Sequence, residues 1–174
     1  LSRGLGDVYK RQQHELSQPG MPQTNGVIER CNADINSGRR AHLTQAGMPE
    51  CVGILAAPTY CVHSNVTHSE DGIPPWGKRY GKGFGCRIYP FGCGVYFRPA
   101  RTKVATKAHS PTMTFGIFVG YRLAPNLEGW NGEYLILDLA DFADVSLHAS
   151  EPYHSFQIHP HVVKEVRLPK EGYI

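Results

Sequence analysis

Pro22-Gln23-Thr24-Asn25-Gly26-Val27-Ile28-Glu29-Arg30 is the stretch on which the reading of this chain turns. A Pro/Gly-rich approach, Gln18 to Pro22, gives way to Asn25, whose side-chain oxygen can satisfy an orphan N–H at a helix start. Behind it, Val27 to Ala46 carries helical spacing and is stopped by Gly47, with Pro49 just beyond. The spacing predicts a helix over about 26–46, with the Glu29 carboxylate in its first turn. Val27, Cys31, Ile35 and His42 fall along one side of it. Glu29, Ala33, Asn36 and Arg40 line another at helical intervals. That polar stripe suits an anion-rich partner, with Arg40 as a phosphate contact; an ordinary solvated stripe accounts for Arg39 and Arg40 equally well. Gly38, in mid-helix, costs roughly 1 kcal/mol relative to Ala and predicts bending or fraying there.

A second helix is expected from Pro49, a good first-turn residue, to about His63, with Val52, Leu55, Ala56, Thr59 and Tyr60 on its apolar side. Pro58 inside it predicts a kink. Asn65 to Tyr80 reads as linker, with Asp71-Gly72 and Pro74-Pro75 as turn signals. Beyond it the chain turns β-rich: Arg87 to Phe97, Thr114 to Arg122 and Glu133 to Leu139 hold short apolar runs with β-branched and aromatic residues. Gly129-Trp130-Asn131-Gly132 reads as a turn feeding the last of these. From Ala140 the chain is acidic and then His-rich, with no obvious closing element.

A chain of 174 residues holds one or two small domains and can bury a real core. No run of about 18 apolar residues exists, so no membrane span is predicted, and the N-terminus lacks the layout of a signal peptide. Five cysteines, odd in number and without a CxxC pair, read as free intracellular thiols. The net charge of +3 is unevenly spread: residues 1–71 carry −1, residues 72–127 carry nine Lys/Arg and no acid, and residues 128–174 carry −5. Such a block is expected to contact a nucleic-acid backbone through Lys78, Arg79, Lys82, Arg87, Arg98, Arg101, Lys103 and Lys107. The plainer alternative is a soluble basic face paired with the acidic tail.

Pro22 to Arg30 followed by Asn32 resembles the PQ-x-NGV-x-ER-x-N signature of integrases of copia-type retrotransposons. Phe91-Gly92-Cys93 and Gly116-Ile117-Phe118-Val119-Gly120-Tyr121 resemble two further landmarks of the same polyproteins, and the likeness runs in order over about residues 17–139. It implies an α+β chain: the C-terminal helices of a truncated RNase H-like integrase core, then a small SH3-like β-barrel. The implied layout is residues 13–66 for the core end, 67–84 for a linker, 85–140 for the basic SH3-like domain and 141–174 for the tail. Residues 1–12 match nothing that follows and resemble a translated sequencing-adaptor scar, which would put the native frame's start near Gln13. The family's second helix usually carries a Phe-Trp pair where this chain has Val52-Gly53, a departure that bears on how that helix packs.

By the resemblance, Glu29 is the last of three metal-binding acids, and Gln23 and Asn25 lie in a loop that touches DNA. The intact parent would be a polynucleotidyl transferase using paired Mg²⁺ (or Mn²⁺) ions, DNA-binding, nuclear and capable of oligomerising. Mg²⁺ needs several hard oxygen ligands, and one carboxylate cannot hold two such ions. The only acids ahead of Glu29 are Asp7 and Glu15, and the family's nearer aspartate lies farther upstream than the 28 preceding residues reach. The expectation is therefore a fragment that does not catalyse, needs no cofactor and retains at most DNA binding. Two rivals are a domesticated, non-enzymatic nucleic-acid- or protein-binding module and the product of a pseudogene. His148, His154, His159 and His161 lack the paired cysteines and tight spacing of a zinc site. Cys31 has no readable base beside it and is expected to be a buried structural thiol.

Overall fold

The runs Gly116–Tyr121 and Tyr134–Leu137 are apolar almost without interruption, as strands buried on both faces require. In the computed structural model, which describes residues 25–67, 72–99, 112–123, 129–143 and 158–169, neighbouring residues of these runs enter two different cores. Phe118 and Ile136 point into one with Val95, Phe97, Tyr121, Tyr134 and Val163. Val119 and Leu137 point into the other with Leu43, Val52, Ala56 and Phe91.

The chain divides into two compact units, Leu1–Asp34 and Ile35–Ile174. The described part of the first is Asn25 and the opening turns of helix α1 (Gly26–Ala46), where every residue from Gly26 to Asp34 is exposed. Helix α1 has the bounds its spacing predicts, and it ends in a Schellman motif. Gly47 turns left-handed at φ 62°, its N–H donates to Thr44 O, and the Met48 N–H donates to Leu43 O. Leu43 and Met48 share an apolar cluster, the contact that accompanies this cap.

A single 3₁₀ turn (Glu50–Val52) leads into helix α2 (Gly53–Thr67), which accommodates Pro58 within its length. Pro58 and Ile54, whose carbonyl loses its i+4 donor there, are both exposed, so water can replace the missing bond. Val52 is 1 % exposed, and the small Gly53 lets the Arg39 side chain lie against it. Burial at this point is thus complete without a large aromatic pair. Helix α3 (Pro75–Tyr80) lies where a linker was expected and closes on Gly81 at φ 67°.

Gly38 corrects an expectation. It is buried, and a Cβ there would fall 2.3 Å from the Tyr60 ring on α2. Glycine serves close helix approach here rather than marking a frayed point. Gly38→Ala would recover about 1 kcal/mol of helix propensity but overpack the crossing by about 1–3 kcal/mol. The expected net is a destabilisation of about 1 kcal/mol in urea unfolding; a stabilised variant would show that the contact with Tyr60 does not hold α1 in place.

Five antiparallel strands follow: β1 (Gly94–Phe97), β2 (Thr114–Leu123), β3 (Trp130–Asp138), β4 (His161–Val163) and β5 (Val166–Arg167), in the order β4-β3-β2-β1-β5. The two edge strands are consecutive in sequence, joined only by Lys164 and Glu165. Such a connection is possible only if the sheet curls until its edges meet, and Phe97 of β1 lies 5.6 Å from the His161 ring of β4. The fold is therefore α+β, with a curled antiparallel half-barrel. The expected absence of a closing element in the tail is corrected: β4 and β5 come from it, and their short alternation was too brief to read as strand. The strand expected over 87–97 is confined to Gly94–Phe97, because Pro90 lacks a donor and Gly92, at φ 79°, turns the chain. Helices α1 (from Ile35) and α2 lie in the same compact unit as the sheet and share the Val119–Leu137 core.

Candidate nucleic-acid interface

Helix α1 sets Glu29 in its first turn, exposed, with Asn25 just ahead of the helix. Among the described residues no three His, Cys, Asp or Glu side chains come together as a metal site would need. Glu29 as it stands does not fit a pair of Mg²⁺ ions, and no chemical step is assigned to it. Cys31 is exposed rather than buried; the opening turns of α1 offer it no apolar surface. Gln23, Arg101, Lys103, Lys107, His148 and His154 lie outside the described residues.

The basic residues of the second unit divide by surroundings. Arg40, Lys78, Arg79, Lys82 and Arg87 are exposed. Arg98 and Arg122 are exposed as well, and they lie 4.0 Å from Glu165 and 3.5 Å from Glu133 respectively. Both acids come from the acidic stretch, so for these two arginines the charge is partly answered within the fold. The Arg79 guanidinium lies 5.6 Å from the Tyr80 ring centre, over its face.

An open cleft of about 270 Å³ is walled by Trp76, Tyr80, Phe84 and Trp130, with Lys82 among the lining side chains; Lys78 and Arg79 lie on the helix that carries Trp76 and Tyr80. Helix α3 supplies Trp76 and Tyr80, the glycine-rich segment after it supplies Lys82 and Phe84, and the start of β3 supplies Trp130. Trp76 and Tyr80 meet at 4.4 Å tilted by 44°, Trp76 and Phe84 at 5.0 Å edge-on, and Phe84 and Trp130 at 5.4 Å tilted by 47°. Trp76 is buried, whereas Tyr80, Phe84 and Trp130 keep part of their surface open. The Trp130 Nε1–H donates to Glu133 O at 2.9 Å, which fixes that ring. Glycines complete the lining, and added Cβ atoms at Gly83, Gly85 and Gly132 would meet nothing within 4 Å.

The sequence reading picked out the cations and missed the rings. A signal was present in Pro75-Trp76-Gly77-Lys78-Arg79-Tyr80-Gly81-Lys82-Gly83-Phe84, where aromatic and basic residues interleave. Trp130 had none, because only folding brings it there.

Two other groups of polar side chains serve the core. His42 stacks on Phe91 at 5.4 Å and meets His63 edge-on at 5.2 Å, while the Tyr121 hydroxyl lies 3.4 Å from His63 Nε2. Burial lowers the pKa of both histidines, that of His63 to about 4. Burial also pushes the Cys86 and Cys93 thiols up to about 11, which leaves little thiolate at neutral pH and argues against nucleophilic use. His161 is half-buried, 3.5 Å from Asp141, while His159 is exposed outside the strand.

Compared with known proteins, the chain matches no family model, no curated protein and no solved structure.

Proposed function

We propose that this chain is the C-terminal part of a copia-type retrotransposon integrase and that it binds nucleic acid through its phosphate backbone. The observation that carries the reading is the Pro22–Asn32 motif, with its carboxylate set in the first turn of a helix. A five-stranded antiparallel sheet curled until consecutive strands β4 and β5 form its two edges supports an SH3-like module after the helices. The DNA-joining chemistry, with its Mg²⁺ or Mn²⁺ ions, belongs to the intact parent; Glu29 would be one of its ligands. In this chain the contacts fall to the exposed Lys78, Arg79, Lys82 and Arg87, and to Arg40, exposed on helix α1.

Binding of this kind is salt-sensitive and tolerant of sequence. Fluorescence anisotropy of a labelled duplex, titrated with the full chain at several NaCl concentrations, is expected to show affinity falling linearly on logarithmic axes. Each phosphate contact removed flattens the slope by about 0.9. Replacing Lys78, Arg79, Lys82 and Arg87 together with Gln should therefore flatten it by about 3–4, equally for unrelated sequences. Affinity indifferent to salt would overturn the proposal.

A further inference from the structure

We infer that the cleft walled by Trp76, Tyr80, Phe84 and Trp130 receives an unpaired base of single-stranded nucleic acid, with Lys82, Lys78 and Arg79 holding the flanking phosphates. The inference rests on the nucleic-acid-binding reading above and specifies its ligand. Three observations carry it. The first is shape: about 270 Å³ of open space falls below the roughly 300–1,000 Å³ of pockets that enclose drug-sized ligands, and suits one planar ring inserted from an open side. The second is the wall, in which Tyr80, Phe84 and Trp130 are only part-buried and present aromatic surface to the open cleft, the kind of surface on which bases stack. Glycines at 83, 85, 129 and 132 keep the approach clear of side chains.

The third observation is charge. Lys82 lines the cleft, Lys78 and Arg79 stand exposed on the helix that supplies two of its rings, and the described lining residues include no carboxylate. A cationic ligand, such as a methylated lysine, would meet like charge there. A proline-rich peptide also sits on aromatic grooves, but it has no use for three cations. A base joined to phosphates uses both halves of the site. A duplex keeps its bases stacked inside and would engage only the cations.

The test exploits the fact that both tryptophans of the chain, Trp76 and Trp130, line the cleft. The full chain is titrated with a labelled oligothymidylate and, separately, with a duplex of equal length, while oligonucleotide anisotropy and tryptophan fluorescence are followed together. The expected result is saturable quenching in step with anisotropy for the single strand, and little quenching by the duplex. Tyr80→Ala and Tyr80→Leu should each weaken single-strand binding roughly tenfold with duplex affinity unchanged. The leucine variant retains apolar bulk without a π-face, and circular dichroism checks that both fold. Anisotropy without quenching, or single-strand affinity unmoved in the folded leucine variant, would overturn the cleft inference and leave backbone binding standing. No anisotropy change with either nucleic acid would overturn both. Quenching by a proline-rich peptide but not by the oligonucleotide would assign the cleft to peptide instead.

Discussion

Gly120→Ala should destabilise the protein by about 3 kcal/mol, and Thr59→Val by about 2 kcal/mol, in urea unfolding with an unchanged m-value. The cause is one junction between helix and sheet. The pairing of β2 with β3 slips between Phe118 and Gly120, which leaves Val119 without a facing residue on β3. Thr59, 2 % exposed on α2, reaches across and places its hydroxyl 2.7 Å from Val119 O and 2.9 Å from Leu55 O. Valine fills the same space without a donor, so a buried carbonyl loses its partner at a cost of about 1–3 kcal/mol. Gly120 sits at φ 153°, and a Cβ there would fall 2.5 Å from Thr59 Oγ1. Alanine would thus meet backbone strain of about 1–3 kcal/mol together with a clash. The two substitutions touch the same contact, so their effects should not add. In a double-mutant cycle, Gly120→Ala should cost less on a Thr59→Ala background. Strict additivity would show that the helix does not approach the bulge closely in solution.

The second large effect is on pH. Burial, then the neighbouring His42, holds the His63 pKa down at about 4, against 6.5 in an unfolded chain. Between those values the unfolded state binds more protons than the folded one, so stability falls as pH falls. The contribution is fully present above pH 6.5, declines from there toward pH 4 and levels off below. Allowing for the partial solvent contact of His63, it amounts to roughly 2 kcal/mol. His42 acts in the same direction, because burial lowers its pKa too and its Nδ1 has no hydrogen-bond partner among the described residues. Chemical denaturation at pH 7, 6 and 5 should show the decline in the wild type. His63→Gln should flatten it while lowering stability at pH 7 by a smaller amount. A wild type equally stable at pH 7 and pH 5 would show that these histidines are hydrated in solution.

The first helix was legible in its bounds because its signals are local: apolar spacing within, Gly47 and Pro49 behind. Strands β2 and β3 were legible in their apolar runs, but Trp130 to Gly132, expected as part of a turn, instead open β3, because Trp130 pairs with Leu123 of β2. The edge strands were not legible. Residues 161–163 and 166–167 are too short to carry a period, and only pairing with β3 and β1 makes them strands. Gly38 was misread because a mid-helix glycine costs propensity in any isolated helix; its use depends on Tyr60 approaching from α2. At the candidate site the cations were found by counting charges, and the rings were not, because Trp130 is far along the chain from Trp76.

By itself the sequence determined the composition of the basic block, the bounds of α1, the position of Glu29 on its first turn and the two central strands. Those features rest on interactions within a few residues, which spacing records directly. Tertiary structure alone decided that the tail closes the sheet, that Thr59 answers the bulge at Val119, that Arg122 lies against Glu133, and that four rings and Lys82 line one cleft. Each joins residues distant in the chain, and the free energy that holds them comes from desolvation and packing that exist only once both sides are present.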